Sequence, residues 1–528
     1  MTDGRRRKRI AAGFVVAVIT GVILGSVVQT QFNLLALQEL GVSIGIGVRL
    51  SATFQDLLHF APLYAVMFGV SFLFSVLVAA ALLRLLRLGV RAPFYALAAA
   101  VGLWVTFTSV NALAPMPTLI AATRTPDGLI AMLFTAALSG WLFAWLTASN
   151  RRSVGGYAMG PALVLLLSAG VIWPVAQARA ESPGSYQVKV LAEGLEHPWS
   201  LAFLPDGGAL VTERSGRLRL MSPEGRLEPQ AIQGVPTVFS SGQAGLFDVM
   251  LSPQFAADSL VFLSYACGSA TANHLCVARG KLNERELVGV TEIFRAQPAK
   301  RGNAHYGGRM AFLPDGSLVI TLGDGFDYRE QAQVLSNHLG SIVRLRPDGS
   351  VPQTNPFLDR EEARPEIFSY GHRNVQGLIY DPVEDLLIAH EHGPRGGDEI
   401  NIIEPGKNYG WPVITFGRDY TGALVSPFTE SEGMEQPVLQ WTPSIAPSGM
   451  TRYRGNLFPE WQGNLLVGAL ADRSVHRIEL DGGQARDIET LFADLDERIR
   501  DVVTGPDGAL YLLTDNLAGR ILRVSPKP

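Results

Sequence analysis

Six times between Trp199 and Gly508 a short apolar strand runs into a turn of Pro-Asp-Gly type and returns as a second strand. The copies begin at Trp199, Gly245, Gly308, Gly377, Gly449 and Arg500, and three of them spell the turn in full, at Pro205-Asp-Gly207, Pro314-Asp-Gly316 and Pro506-Asp-Gly508. Proline presets φ at the first turn position, and Asp-Gly accepts the positive φ of a tight hairpin. Strands such as Ala209-Leu-Val-Thr-Glu213 alternate, and helical periodicity is nearly absent. Residues 181–528 allow about 58 residues per copy, room for a four-stranded blade and a long loop. The repeat predicts an all-β six-bladed β-propeller over 186–528, a β-sandwich being the other arrangement such strands permit.

The preceding third is of another kind. Residues 1–180 hold 13 Lys and Arg against 4 Asp and Glu, whereas the remainder holds 31 against 44. Five apolar stretches, at 10–28, 60–83, 93–110, 129–148 and 154–178, approach the roughly 20 residues that a spanning helix needs. Residues 31–53, with Glu39 and Arg49, read as an interfacial amphipathic segment. Cations cluster at Arg5 to Arg9, at Arg84, Arg87 and Arg91, and at Arg151 and Arg152. A cytoplasmic N-terminus puts all three clusters on one side of the membrane. The expectation is a helical anchor of about five spans over 1–180, in lipid, with everything after residue 180 outside the cytoplasm, in the periplasm of a cell with two membranes. Ala178-Arg-Ala180 also has the form of a signal-peptide cleavage site, which would release the globular part. His59 and Asp56 fall at a span edge, and no embedded carboxylate or His pair marks a pump.

Other classes are excluded. An acidic globular part argues against nucleic acid. Two cysteines cannot build a disulfide scaffold or a multi-Cys metal site, although Cys267 and Cys276, outside the cytoplasm, suit one cross-hairpin disulfide. Rossmann, P-loop, Cys-x-x-Cys-His and Gly-x-Ser-x-Gly patterns are missing, which removes nicotinamide, ATP, haem c and serine-hydrolase readings.

The distinctive loops are Ser241-Gly-Gln-Ala-Gly245, Asn303-Ala-His-Tyr-Gly-Gly308, Gly371-His-Arg-Asn-Val-Gln376, the stretch from Glu391 to Pro412, that from Trp441 to Gly449, and Arg498-Ile-Arg500. Each begins near the start of a different blade, so they can converge on one mouth. Arg498 and Arg500, two apart, face one side of a strand. With Arg373 they suit a planar, multiply carboxylated ligand. Asp398, Glu399 and the loop carbonyls offer the hard oxygens that Ca²⁺ prefers. His305, flanked by Gly307 and Gly308 that permit close approach to a ligand, is a natural general base.

These motifs resemble the glucose/sorbosone dehydrogenase family, in particular the aldose sugar dehydrogenases that use pyrroloquinoline quinone (PQQ). The resemblance rests on His-Tyr-Gly-Gly-Arg-Met, Gly-His-Arg-Asn-Val-Gln-Gly, Glu-His-Gly-Pro-Arg-Gly-Gly-Asp-Glu-Ile-Asn, Asn-Tyr-Gly-Trp-Pro and Arg-Ile-Arg-Asp-Val, and it spans residues 188–524. It implies an aldose oxidised to its lactone, with His305 as catalytic base and Arg373 beside it. PQQ would be bound by Gln243, Arg373, Asn374, Arg498 and Arg500, with Trp441 covering its ring. The carbonyls of Gly393 and Pro394 would hold one Ca²⁺ and Glu399 with Tyr409 a second, and Tyr420 would lie near the sugar. Electrons would pass to membrane quinone or a soluble carrier. The family's cofactor-binding lysine is Ala471 here, and Arg473 is expected to supply the charge; Ala304 stands where a polar residue precedes the base. These departures leave two other readings, a carbohydrate- or protein-binding propeller and a Ca²⁺-dependent lactonase.

Overall fold

The computed structural model describes residues 3–87, 90–113, 118–148 and 186–527. Five helices come first: α1 (Asp3–Glu39), α2 (Ile46–His59), α3 (Ala61–Leu85), α4 (Arg91–Leu113) and α5 (Pro126–Leu146). Four of them, α1, α3, α4 and α5, are long and apolar enough to cross a membrane. The fifth expected span, 154–178, lies outside the described residues. The expected break near residue 28 is corrected: α1 runs unbroken to Glu39, because nothing between Val28 and Glu39 is a Gly or Pro that would end it.

Small residues let the helices approach. A Cβ on Gly140 would lie 2.3 Å from the Tyr95 carbonyl, and one on Gly25 would lie 2.4 Å from the Tyr64 ring. Residues 418–427 group with the helices rather than with the rest of the later chain. There Asp56, fully buried, accepts from Leu424 N–H at 2.8 Å and Thr30 Oγ1 at 2.7 Å. Asn33 Nδ2 donates to the Leu424 carbonyl at 2.8 Å. The interfacial reading of Asp56 is corrected by this contact: the carboxylate satisfies a backbone donor that burial would otherwise strand.

The second unit is a six-bladed β-propeller. Its blades are Pro198–Phe203, Ala209–Glu213 and Arg217–Met221; Leu246–Leu251, Leu260–Ser269, Ala272–Asn283 and Glu286–Arg295; Gly307–Phe312, Leu318–Leu322, Ser341–Leu345 and Ile367–Tyr370; Val375–Asp381, Leu386–Glu391, Asp398–Ile402 and Leu439–Trp441; Pro447–Arg452, Leu465–Ala469, Val475–Asp481 and Gln484–Leu491; and Ile499–Thr504, Leu510–Thr514, Gly519–Pro526 and Tyr186–Leu195. The last blade mixes both ends of the domain: Tyr186 pairs with Pro526 and Leu195 with Gly519, antiparallel. The first strands of successive blades lie side by side in a closed ring. Apolar clusters fill all six junctions between neighbouring blades. Leu512, Val467 and Ile320 are fully buried there, and cutting such a residue to Ala typically costs about 2–5 kcal/mol.

Cys267 and Cys276 are disulfide-bonded across the hairpin of Leu260–Ser269 and Ala272–Asn283, with Cα atoms 6.0 Å apart. The closed loop is short, so replacing both by Ser is expected to lower unfolding free energy by about 2–3 kcal/mol. Denaturant titration of the full chain checks this; an unchanged midpoint would mean that the strand ladder alone holds the hairpin.

Candidate active site

Inner ends of the blades surround a cavity of about 250 Å³ lined by Trp199, Arg214, Gln243, Asn374, Arg498, Arg500 and Asp515, among others. Residues from separate repeats therefore meet in one place. Arg500 donates to Asp515 at 2.9 Å and Arg498 approaches the same carboxylate at 3.4 Å. His197 Nδ1 lies 2.7 Å from the other Asp515 oxygen. Buried Arg500 Nε has no partner among the described residues, a donor left for a ligand. Asn374 and Gln243 are oriented by backbone: Asn374 Oδ1 accepts from Gly307 N–H at 3.1 Å, and Gln243 Oε1 from His305 N–H at 2.9 Å. Fork-shaped cations and amides around one cavity fit a planar polycarboxylate.

His305 is held by a residue that the sequence reading missed. Its Nδ1 lies 2.6 Å from Asp324 Oδ1. Asp324 also accepts from Phe326 N–H at 2.7 Å and Trp411 Nε1–H at 2.8 Å. The carboxylate fixes the proton on Nδ1 and leaves Nε2 as the basic nitrogen. Burial, followed by the Arg373 charge, pushes the ring down to about 4 against the pull of Asp324. The strand end Leu318–Leu322, running into Gly323-Asp324-Gly325, was the only signal for Asp324. His305 itself sits at φ +51°, a left-handed conformation uncommon for a residue with a side chain.

A second, narrow cleft of about 10 Å³, the space of about one water or ion, is lined by Arg373, Glu391, Gly393, Glu399, Tyr409 and Thr415 among others. Burial and then the neighbouring Glu391 hold the Glu399 carboxyl well above the usual range. Glu391 is already engaged, by His372 Nδ1 at 2.8 Å and by Arg373 N–H, so the oxygens suited to Ca²⁺ here are those of Glu399 and the Gly393 carbonyl. Arg373 Nη1 meanwhile donates to the Gly393 carbonyl at 2.7 Å and to His392 at 3.0 Å.

Several expectations are corrected. Asp398 is not available to a metal: its oxygens accept from Gly393, Ile445 and Ala446 N–H and from Ser444 Oγ, at 2.7–2.9 Å, which ties the loop together. Trp441 belongs to the core between two blades, its Nε1 donating to Asp487 at 2.9 Å; the indole at the cavity is Trp199. Arg473 sits at φ +54° in an exposed turn and pairs with Asp496 at 2.8 Å, because the positive φ swings its side chain off the strand face. Gly307 and Gly308 admit protein rather than ligand: their Cβ positions would lie 2.7 Å from the Thr321 carbonyl and 3.0 Å from the Phe247 ring. Tyr409 donates to the Ile402 carbonyl at 2.6 Å and accepts from Glu404 N–H. Pro394 packs beside Gly417, and Tyr420 lies exposed in the segment grouped with the helices. The Ala304 carbonyl accepts from buried Lys300 Nζ at 2.9 Å.

Comparisons with known proteins follow this geometry. The family model described as Glucose / Sorbosone dehydrogenase matches residues 195–523. Aldose sugar dehydrogenase YliI of Escherichia coli is 44% identical over 355 residues, which cover 66% of this chain and 94% of that protein. The crystal structure of the soluble aldose sugar dehydrogenase from Escherichia coli in the apo form is 42% identical, covers 65% of this chain and 100% of that one, and superposes with a TM-score of 0.63. The PQQ-bound aldose sugar dehydrogenase from Streptomyces coelicolor is 31% identical, covers 66% of this chain and 99% of that one, and superposes with a TM-score of 0.54.

The buried histidines make a testable contribution to stability. Burial pushes His390 down to about 3. A folded value below the ordinary 6.5 means that the neutral ring stabilises the fold above about pH 6.5, and that this is lost as pH falls toward 3. His390→Met is expected to show a shallower decline in unfolding temperature between those limits; an equal slope in parent and variant would contradict it.

Proposed function

The chain belongs to the glucose/sorbosone dehydrogenase family, and on that premise we propose that it is a membrane-anchored quinoprotein that oxidises an aldose to its lactone outside the cytoplasm. The observation that carries this is a cation-rich cavity lined by Tyr306 and Gly307, which directly follow the buried, Asp324-oriented His305 in the chain. Arg498, Arg500, Gln243 and Asn374 would hold the carboxylates and carbonyls of PQQ, and the oxygens of Gly393 and Glu399 would hold Ca²⁺. When bound, PQQ supplies the two-electron acceptor and Ca²⁺ a Lewis acid.

The chain's own residues supply positioning and proton transfer. His305 Nε2 takes the proton of the sugar's anomeric hydroxyl, while Asp324 keeps the ring in the right tautomer and steadies the charge that develops. Because His305 titrates near 4, it stays a neutral base well below neutral pH. Arg373, which lines the narrow cleft, donates to the His392 and Gly393 carbonyls and orients that loop. The helices α1, α3, α4 and α5 would anchor the chain in the inner membrane, with the propeller on the periplasmic side. The placement supports membrane quinone, or a soluble carrier, as final acceptor.

Dye reduction by the full chain, loaded with PQQ and Ca²⁺ and offered aldoses, tests the reading. His305→Ala is expected to cut kcat by about 10²- to 10⁴-fold, the span of general-base catalysis, with PQQ uptake retained. Failure of the parent chain to take up PQQ would overturn the reading. In the pH profile, kcat/KM should hold as pH falls past 6 and drop only toward 4, since ring protonation removes the base. Asp324→Asn should abolish that plateau by placing the imidazole proton on Nε2. A parent profile that bends at 6.5 would show that the buried ring is not the base.

A further inference from the structure

Cations at the main cavity and in the loops around it differ in how far they are already committed. Arg498 and Arg500 share Asp515, which offsets part of their charge before any ligand arrives. Arg373 spends a nitrogen on the His392 and Gly393 carbonyls. Arg473 is turned outward onto Asp496. Arg214 is different. It follows the strand Ala209–Glu213, is half-buried and lines the cavity, yet no acidic side chain is paired with it among the described residues.

The backbone aims this residue. Arg214 N–H donates to the His197 carbonyl at 3.1 Å, and its own carbonyl accepts from Leu246 N–H at 3.2 Å. Gly245 makes room for the stem, since a Cβ there would stand 2.4 Å from Arg214 Cγ. The neighbouring acid, Glu213, is committed to Arg217 at 2.7 Å and Arg219 at 3.3 Å. A guanidinium that lines a polar cavity, lacks a counter-ion and has a glycine cleared for it is a built anion site.

We propose that Arg214 binds a carboxylate of the cofactor. This rests on the PQQ reading above, and its test separates the two. PQQ and its uncharged trimethyl ester are titrated by calorimetry into the full chain with Ca²⁺ present, for the parent, Arg214→Gln, Arg214→Lys and the double variant Arg214→Gln with Ala471→Lys. Loss of one charged hydrogen bond is expected to weaken PQQ binding by about 10- to 100-fold in Arg214→Gln. Arg214→Lys and the double variant should recover part of that loss, and ester binding should be the same in all four. Equal PQQ affinity in parent and Arg214→Gln, or equal weakening of PQQ and ester, would overturn the role of Arg214 while leaving the cofactor assignment standing. No PQQ binding by the parent would instead remove the cofactor reading itself.

Discussion

Closure of the ring is the constraint on which everything else in the propeller depends. The strand Tyr186–Leu195 pairs with Gly519–Pro526, so the two ends of the domain share one blade. That ladder removes the free edges that a row of sheets would leave, and it fixes the circumference on which the inner strands stand. Apolar clusters at every junction then lock each blade to two neighbours. A loop at one blade start is thereby held against loops hundreds of residues away.

Buried polar groups near the channel carry the same logic inward. Asp248 accepts from Ser200 Oγ at 2.6 Å and Met310 N–H at 2.9 Å, joining three blades. Arg309 reaches Asp501 at 2.9 Å and stacks over Trp199 at 4.1 Å. Such charges are tolerated because each is matched by partners on other blades. They also explain why Asp398, acidic and in the right loop, is a structural residue: its carboxylate is saturated by donors that shape the Gly393 turn. Glu391 is likewise tied to His372 Nδ1 and Arg373 N–H, which leaves Glu399, raised by burial and by Glu391, as the carboxylate for a cation.

The helices are more than apolar filler. Asp56 and Asn33 meet the N–H and C=O of Leu424 as a paired strand would, so a backbone segment from the later chain is read by two polar side chains. A close approach of the His59 carbonyl to Gly422, 2.4 Å from where a Cβ would stand, makes that residue's lack of a side chain necessary. Specific recognition of this kind distinguishes the helical unit from a simple tether.

Local chemistry determined much of this protein. Turn residues at regular spacing carried the propeller, apolar runs carried the helices, and His305, Arg498 and Arg500 stood out by residue type within their loops, whereas Gln243 and Asn374 came only from the resemblance to the family. Tertiary structure decided the rest. Asp324, Trp199, Arg214 and Asp515 sit in ordinary strand-end sequence, and only ring closure brings them to the site. Arg473 failed for the converse reason: spacing along a strand says which face a residue shares, but not whether that face meets the channel, a neighbouring blade or solvent. Face and register are local properties of the backbone, and they can be read from the chain. Convergence depends on where six blades stop turning, and that is set by packing across the whole ring.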